Sequence, residues 1–312
     1  LKRLAAMVER FKTGSSDQGR RLDVFVSDMS SSVSRTQARK IIDIGGVHID
    51  GRRVRKAGLI LEPDQQIELY RDDAPLDPYR IEPDQILFQD EYIIVINKPS
   101  GVETQPTPAR YKGTLYEALQ VLLKRDRRFG RRLEIGMAQR LDRDTSGVII
   151  FSIHPSAHKS LTAQMQLRSV KKIYEGLVAG RPKRESGTYR SHLLRDRRTG
   201  IMRSVAMGGG GKEAITNFRV SETQTYPIEI SLIELELITG RTHQNRAHLS
   251  EAGYPLLGDI RYGGSPALGG CRFTRHCLHS SRLDVMHPHS KKHMQFTAPL
   301  PGDMDMKRLF KR

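Results

Sequence analysis

Cysteine, tryptophan and long apolar runs are scarce or absent in this sequence of 312 residues. The two cysteines, Cys271 and Cys277, are too few for a disulfide framework and lack the C-x-x-C pairing of a zinc site, so we expect no bound metal. No apolar run approaches the ~18 residues of a membrane span, and the segment Leu1–Met7 lacks the long apolar core of a signal peptide. These absences argue against a secreted disulfide scaffold and predict a cytoplasmic protein.

Acidic residues are also outnumbered. The 52 Lys and Arg against 35 Asp and Glu leave a net charge of +17. An excess of this size predicts a polyanionic partner, because neutralised phosphates release counterions when the complex forms. A ribosome-bound structural protein and a protein of an anionic membrane surface remain open at this point. The sequence has no P-loop and no G-x-G-x-x-G after a strand, so no nucleotide cofactor is indicated.

Changes in composition along the chain predict two domains. Residues 1–19 are polar and are expected to form a flexible lead-in. A compact unit over residues 20–72 is followed by a linker rich in proline and acidic residues, 73–85. The remaining residues, 86–312, form the larger domain.

The small domain contains clear signals of a helix and a hairpin. Ser34 and Gln37 form a capping box that opens a helix, and Gly45 ends it. Asp50-Gly51 then predicts a type I′ turn between two short strands.

Basic residues cluster on this helix and hairpin. Arg35 and Arg39 are one helical turn apart and share a face. Lys40, Arg52 and Arg53 add to the cluster, which is denser than an ordinary solvated surface predicts. The segments that begin at Arg21, Ser34 and Gly46 resemble an S4 RNA-binding domain, and the resemblance implies docking on RNA by shape and phosphates.

The larger domain alternates short apolar runs with helical segments. Strands are predicted at Tyr92–Ile96, Val148–Phe151, Ile173–Val178 and Ile230–Leu237. Helices are predicted at Thr114–Lys124, Ala157–Arg168 and Thr242–Glu251.

The most informative segment is Arg140-Leu-Asp142-Arg143-Asp144-Thr-Ser-Gly, which precedes an apolar run. A carboxylate between guanidinium groups stays ionised, because nearby opposite charge favours the charged form. An ionised and positioned carboxylate can act as a nucleophile or as a general base. The residues therefore make Asp142 the candidate catalytic group.

A glycoside hydrolase is the alternative, because two carboxylates two residues apart on a strand would lie about 6–7 Å apart. That mechanism needs one acid kept protonated by an apolar environment. Asp142 and Asp144 instead have Arg140 and Arg143 as neighbours, and the chain has no Trp to stack on sugars. The pattern disfavours hydrolysis.

The Asp142 segment also resembles the active-site motif of the RluA-type pseudouridine synthases, and the resemblance extends over most of the larger domain. Further ordered blocks that carry it begin at Ile93 (I-I-V-I-N-K-P-S-G-V), Lys172 (K-I-Y-E-G), Thr239 (T-G-R-T-H-Q-N-R) and Tyr254 (Y-P-L-L-G-D). It implies an α+β catalytic domain built on a mixed, largely antiparallel sheet. It also implies isomerisation of uridine in RNA without a cofactor or metal.

The resemblance implies roles for individual residues. Asp142 would be the essential aspartate, which attacks C1′ or removes a sugar proton. Tyr174 would pack on the target base, and Arg246 would pair with Asp142. Further RNA-binding positions would be Arg140, Arg143, Arg241 and His243, the last of which we also expect to make a structural hydrogen bond at a helix start.

Two positions depart from the family pattern: Gln139 stands where His is frequent, and Asn245 stands where an apolar residue is usual. Neither replaces a residue with an implied catalytic role. The sequence thus predicts a monomeric RNA pseudouridine synthase. Large-subunit ribosomal RNA, free or in a preribosomal particle, is the first expected substrate, and transfer RNA is the second. The competing hypothesis is a non-catalytic RNA-binding assembly factor or chaperone of the same fold.

Overall fold

The computed structural model describes residues 7–72, 74–124 and 134–310. The chain divides into two compact units. The first contains the described residues of Leu1–Glu82 and Gly101–Gly130, and the second contains Pro83–Ser100 and the described residues of Arg131–Arg312. The chain therefore passes between the units three times. No helix within the described ranges is both long and apolar enough to span a membrane.

The first unit packs three helices with a four-stranded antiparallel sheet. Its strands are β1 (Met7–Lys12), β2 (Val47–Ile49), β3 (Arg52–Val54) and β4 (Gln66–Arg71), in the order β1-β4-β2-β3. Its helices are α1 (Leu22–Met29), α2 (Arg35–Ile44) and α3 (Leu115–Lys124). Fully buried apolar side chains from α1, α2 and the sheet, among them Phe25, Ile42 and Ile67, form its core.

The local signals read from the sequence of this unit are confirmed. Ser34 and Gln37 form the capping box of α2, and Gly45 ends the helix at a φ of 93°. Asp50 and Gly51 both have positive φ, as a type I′ turn requires. One segment differs from its prediction: Met7–Lys12, placed in a flexible lead-in, is a strand paired along its length with β4.

The segment after Gly101 packs with the first unit. The backbone amides of Tyr111 and Lys112 both donate to the carbonyl of Ile44, at 2.6 and 3.1 Å. The buried guanidinium of Arg110 binds the carboxylate of Asp72, whose side chain is 11% exposed. The sequence predicts these residues in the larger domain, because no change in composition marks the return of the chain to the first unit.

The second unit is built on one ten-stranded sheet. Its strands are β5 (Ile86–Gln89), β6 (Ile93–Lys98), β7 (Ser146–Ser152), β8 (Lys171–Ala179), β9 (Ser186–Arg195), β10 (Met202–Val205), β11 (Lys212–Gln224), β12 (Ile230–Leu237), β15 (Leu278–Met286) and β16 (His293–Thr297). Their order is β10-β9-β11-β12-β8-β15-β7-β6-β5, with β16 also paired to β15. All pairs are antiparallel except β15 with β7, so the predicted mixed, largely antiparallel sheet is confirmed.

Short helices and a hairpin complete this unit. The helices are α4 (Pro155–Gln166), α5 (Gln244–Glu251) and α6 (Met306–Leu309), and β13 (Ala267–Leu268) pairs with β14 (Cys271–Arg272). Leu161 of α4 packs on Val148 and Ile150, which alternate along one face of β7. The predicted strands and helices all occur within about two residues of their expected bounds, whereas the more polar strands β9 to β11 were not predicted.

Candidate active site

A tight turn leads from Asp142 into β7. The amide of Thr145 donates to the carbonyl of Asp142 at 3.1 Å. Gly147 has a φ of 110°, and a Cβ on it would lie 2.2 Å from the carbonyl oxygen of Ser280 on β15. Only glycine can therefore occupy this position, and its absent side chain lets β7 and β15 pair directly below the turn.

Two buried cations hold the backbone of this turn. The fully buried ammonium of Lys98 donates to the carbonyl of Arg143 at 2.9 Å. Arg275 Nη1 donates to the carbonyl of Asp144 at 3.0 Å. Charge-assisted bonds of this kind are stronger than neutral ones, so they fix the turn that carries Asp142.

Two buried histidines hold the hydroxyl groups that follow. His276 Nε2 lies 2.8 Å from Thr145 Oγ1, and His279 Nδ1 lies 2.9 Å from Ser146 Oγ. His279 Nε2 lies 3.2 Å from the carbonyl of Ala298 and donates to it, so Nδ1 accepts from the serine hydroxyl. Burial lowers the pKa of His276 well below its ordinary value and that of His279 to about 4.

We expect this burial to make stability depend on pH. His279 binds a proton near pH 6.5 in the unfolded chain but only near pH 4 when folded, so its contribution is present above pH 6.5 and is lost as the pH falls towards 4. The loss should reach about 3 kcal/mol at pH 4. Urea unfolding at pH 7, 6, 5 and 4.5 measures it. His279→Gln should make the free energy of unfolding depend less on pH, whereas His293→Gln, which changes an exposed histidine, should leave the pH dependence as it is in the wild type. The same pH dependence in both variants would contradict the assignment of this effect to His279.

The Asp142 carboxylate is 29% exposed and accepts a hydrogen bond of 3.1 Å from Arg246 Nη1. The same guanidinium donates through Nε and Nη2 to the two oxygens of Asp259, at 2.7 and 2.8 Å. Burial alone lowers the pKa of Arg246, but the bonds and charges of Asp259 and Asp142 raise it overall. Arg246 is thus a fixed cation shared by one buried and one accessible carboxylate.

Tyr262 and His243 support this pair from the side. The Arg246 guanidinium lies over the Tyr262 ring at 4.8 Å. The Tyr262 hydroxyl lies 3.0 Å from His243 Nδ1, and His243 Nε2 lies 3.7 Å from Asp142 Oδ2. Burial lowers the pKa of His243 to about 4, so its ring is neutral at pH 7. His243 therefore orients its neighbours without adding a positive charge to the site.

The block T-G-R-T-H-Q forms a hydrogen-bonded turn that leads into α5. The Gln244 carboxamide oxygen accepts from Thr239 Oγ1 at 2.7 Å and from the Arg241 amide at 3.0 Å. Its nitrogen donates to the carbonyl of Ile215 on β11 at 2.9 Å. These hydrogen bonds of Gln244 fix the start of α5, and with it the position of Arg246.

A cavity of about 570 Å³ lies over these groups. Six of the predicted residues line it together: Arg140, Asp142, Tyr174, Arg241, His243 and Arg246. Tyr174 is 7% exposed, and burial raises the pKa of its hydroxyl, so it stays protonated. The cavity therefore joins an ionised carboxylate to a flat aromatic side chain, a combination suited to a flat base with a sugar attached.

Other predicted residues lie outside the cavity. Arg143 does not line it; its Nε is 3.5 Å from Asp144. Asp142 and Asp144 sit on a turn rather than a strand, so the carboxylate geometry considered for a glycoside hydrolase does not apply. Within the described residues no cluster of three or more histidine, cysteine or acidic side chains could hold a metal ion.

The five basic residues predicted to form the RNA-binding cluster of the small domain are in the first unit, and several have partners there. Arg35 and Arg39 lie 3.2 and 3.4 Å from the fully buried Asp23 carboxylate, while their own side chains stay 55% and 60% exposed. Lys40 pairs with Asp77 at 3.3 Å, and Arg52 is exposed. Arg53 is half-buried and donates to the carbonyl of Thr107. The outward parts of Arg35, Arg39 and Arg52 remain accessible to a partner.

Sequence reasoning did not assign roles to Asp259, Tyr262, Lys172 or His276. Asp259 and Lys172 lie within the blocks that carry the family resemblance, but their distance from Asp142 along the chain gives no sign that they belong to the same site. The two departures from the family pattern also have a structural signature. Gln139 Nε2 and Asn245 Oδ1 are buried without a hydrogen-bond partner among the described residues, and both side chains line the cavity.

Comparisons with known proteins identify the family. The family model for RNA pseudouridylate synthase matches residues 92–251, and that for the S4 domain matches residues 20–67. An uncharacterized RNA pseudouridine synthase of Chloroflexus aurantiacus is 37% identical over 92% of this chain and 88% of its own length. Ribosomal large subunit pseudouridine synthase D of Zymomonas mobilis is 33% identical over 94% and 93%.

The fold is shared with a solved human protein, RNA pseudouridylate synthase domain containing 4. The TM-score is 0.58 at 23% identity, covering 71% of this chain and 90% of that one. With its S4 domain and its aspartate-bearing cavity, the chain belongs to the RNA pseudouridylate synthase family, isomerases that act on RNA.

Proposed function

We propose that this protein converts specific uridines of large-subunit ribosomal RNA to pseudouridine, with Asp142 as the essential residue. One observation carries the proposal: an accessible carboxylate is held by a buried arginine at the floor of a cavity that also contains Tyr174. The name of the relative from Zymomonas mobilis supports ribosomal RNA of the large subunit as the substrate. Transfer RNA is the second candidate.

The chemistry follows from the groups in the cavity. The target uridine leaves its stack, at a cost of a few kcal/mol, before Asp142 can reach its sugar. Asp142 then attacks C1′ or removes a sugar proton. The N1–C1′ bond breaks, the uracil turns and a C5–C1′ bond forms, which either displaces the Asp142 carboxylate from C1′ or is accompanied by return of the sugar proton from Asp142. The hydrogen at C5 leaves as a proton, and N1 takes up a proton. No net oxidation occurs, which supports a reaction without a cofactor.

The other residues bind and orient. Tyr174 packs on the base, and Arg246 pairs with Asp142 and orients its carboxylate. Arg140, Arg143, Arg241 and His243 contact the RNA around the target. The S4 domain, within residues 20–72, binds RNA beyond the target nucleotide, and the catalytic residues belong to the second unit, Pro83–Ser100 with the described residues of Arg131–Arg312. We propose a monomer that acts in the cytoplasm, on free RNA or on a preribosomal particle.

The substrate is tested by tritium release. Forming the bond at C5 expels the hydrogen there, so RNA transcribed with tritium at uridine C5 reports the reaction itself. We expect release from a large-subunit ribosomal RNA transcript or from precursor particles that contain it, and none from a small-subunit transcript. Release from transfer RNA alone would replace the proposed substrate, and release from none of these would contradict the enzymatic proposal.

The S4 contribution is tested by salt titration. The slope of log affinity against log salt falls by about one for each phosphate that the protein no longer neutralises, so Arg35→Ala with Arg39→Ala should lower it by about two. Asp23 keeps two hydrogen bonds from Arg21, at 2.9 and 3.1 Å, so the fold should persist. Lys12→Ala, on β1 and paired with Asp64, is the matched control. An unchanged slope in the double variant would remove this face from the proposal.

A further inference from the structure

Lys172 is a buried cation with no counter-ion among the residues that the structure describes. It lies on β8, two residues before Tyr174, and is only 8% exposed. Among the described residues no carboxylate lies within salt-bridge distance of its ammonium group, and the charge that acts on it is the like charge of Arg168. Burial and Arg168 together lower the pKa of Lys172.

An unpaired buried ammonium is unfavourable in a folded protein. Removing such a group from water costs several kcal/mol unless a partner compensates it. The adjacent lysine shows the usual arrangement: Lys171 is 47% exposed and lies 3.7 Å from Glu236. The unfavourable placement of Lys172 is explained if a ligand supplies the missing negative charge.

The charge of the cavity favours an anion at this position. Lys172 lines the cavity together with Arg140, Arg168 and Arg241, while Asp142 is the one acidic residue among the lining side chains. Asp142 is already bound to Arg246. Arg168 donates to the carboxylate of Glu213, and Arg241 donates to its backbone carbonyl. Arg140 is exposed to water, whereas Lys172 is buried and has no counter-ion among the described residues.

The strand geometry places this anion site one nucleotide unit from the base. Residues two apart on a strand point to the same side, about 6–7 Å from each other. In an RNA chain the phosphate is separated from its base by one ribose. Resting on the proposed function, we propose that Lys172 binds a phosphate attached to the extruded uridine when the base packs on Tyr174.

Kinetics and RNA binding test the proposal with a matched pair of variants. Lys172→Met should raise KM about tenfold and leave kcat nearly unchanged, because a phosphate contact is the same in ground and transition states. In an Asp142→Asn background it should weaken RNA binding and lower the salt slope by about one. Lys171→Met should change neither. Equal effects of the two variants, or a fall in kcat alone, would overturn the proposal.

A third readout separates this inference from the proposed function. In thermal melts, uridine monophosphate should stabilise the wild-type protein more than uridine does, and Lys172→Met should abolish that difference. Without ligand, Lys172→Met should not lower the Tm, because it removes an unpaired buried charge. Equal stabilisation by both ligands in the wild type, or a large fall in Tm for the variant, would overturn the phosphate role. This result can be read even if no tritium is released.

Discussion

Asp142→Asn is expected to reduce tritium release roughly a thousandfold or more while leaving RNA affinity unchanged. The amide is nearly the same size as the carboxylate but can neither attack C1′ nor accept a proton, and such groups typically supply this much of the rate. Arg246 can still donate to the remaining amide oxygen, so the turn and the fold should be preserved. The measurement is single-turnover release from the transcript on which the wild type is active.

The neighbouring carboxylate provides the control. Asp144→Asn changes the same charge two residues away, outside the residues that line the cavity, and should retain activity within a few-fold. Persistence of turnover in Asp142→Asn would show that this carboxylate is not the reacting group. If neither the wild type nor the variant releases tritium but both bind RNA, the hypothesis of a non-catalytic assembly factor is favoured.

Arg246→Met is expected to be the most destabilising of the substitutions considered, by roughly 3–5 kcal/mol. The variant leaves the Asp259 carboxylate, whose side chain is 1% exposed, without its bidentate partner. Arg246→Lys should recover part of the stability but little activity, because one ammonium cannot reproduce three donors aimed at two carboxylates. Urea unfolding measures the stability, and tritium release below the unfolding transition measures the activity.

An exposed ion pair provides the reference for this loss of stability. Arg219 lies 3.3 Å from Glu234 and is 61% exposed, so Arg219→Met should cost at most about 1 kcal/mol. A loss of similar size for Arg246→Met would mean that the buried pairing contributes no more than a surface contact. Loss of activity without loss of stability would assign Arg246 to the reaction alone.

Motifs in the sequence pointed to residues that line one cavity, but not to the contacts between them. Strands of unbroken apolar character, such as β6 and β7, were found because burial on both faces leaves a clear pattern. The strand β9 (S-G-T-Y-R-S-H-L-L-R) has polar residues on both faces and gave no such signal. Asp142 and Arg246 were found through their motifs. The bidentate contact of Arg246 with Asp259 was not predicted, because no local sequence pattern links two residues that come together only in the folded chain.

Lys172 shows a second limit of sequence reasoning. Lysine is almost always exposed, so a buried lysine is not predicted from a sequence unless an acidic partner can also be identified. The alternation along β8 puts Lys172 on the side of Tyr174, but only the fold reveals that this side faces the cavity. Similarly, the turn at Gly147 could be expected from the glycine, whereas its approach to Ser280 on β15 could not.

The three passages of the chain between the two units have a consequence for limited proteolysis. In a protein with one linker, a single cut there releases both domains as fragments. Here a cut between Glu82 and Pro83 would leave residues 101–124 covalently attached to the larger fragment. These residues would still be hydrogen-bonded to the smaller fragment, through Ile44 and Asp72. The nicked protein should therefore migrate as one species on a sizing column and separate only under denaturing conditions.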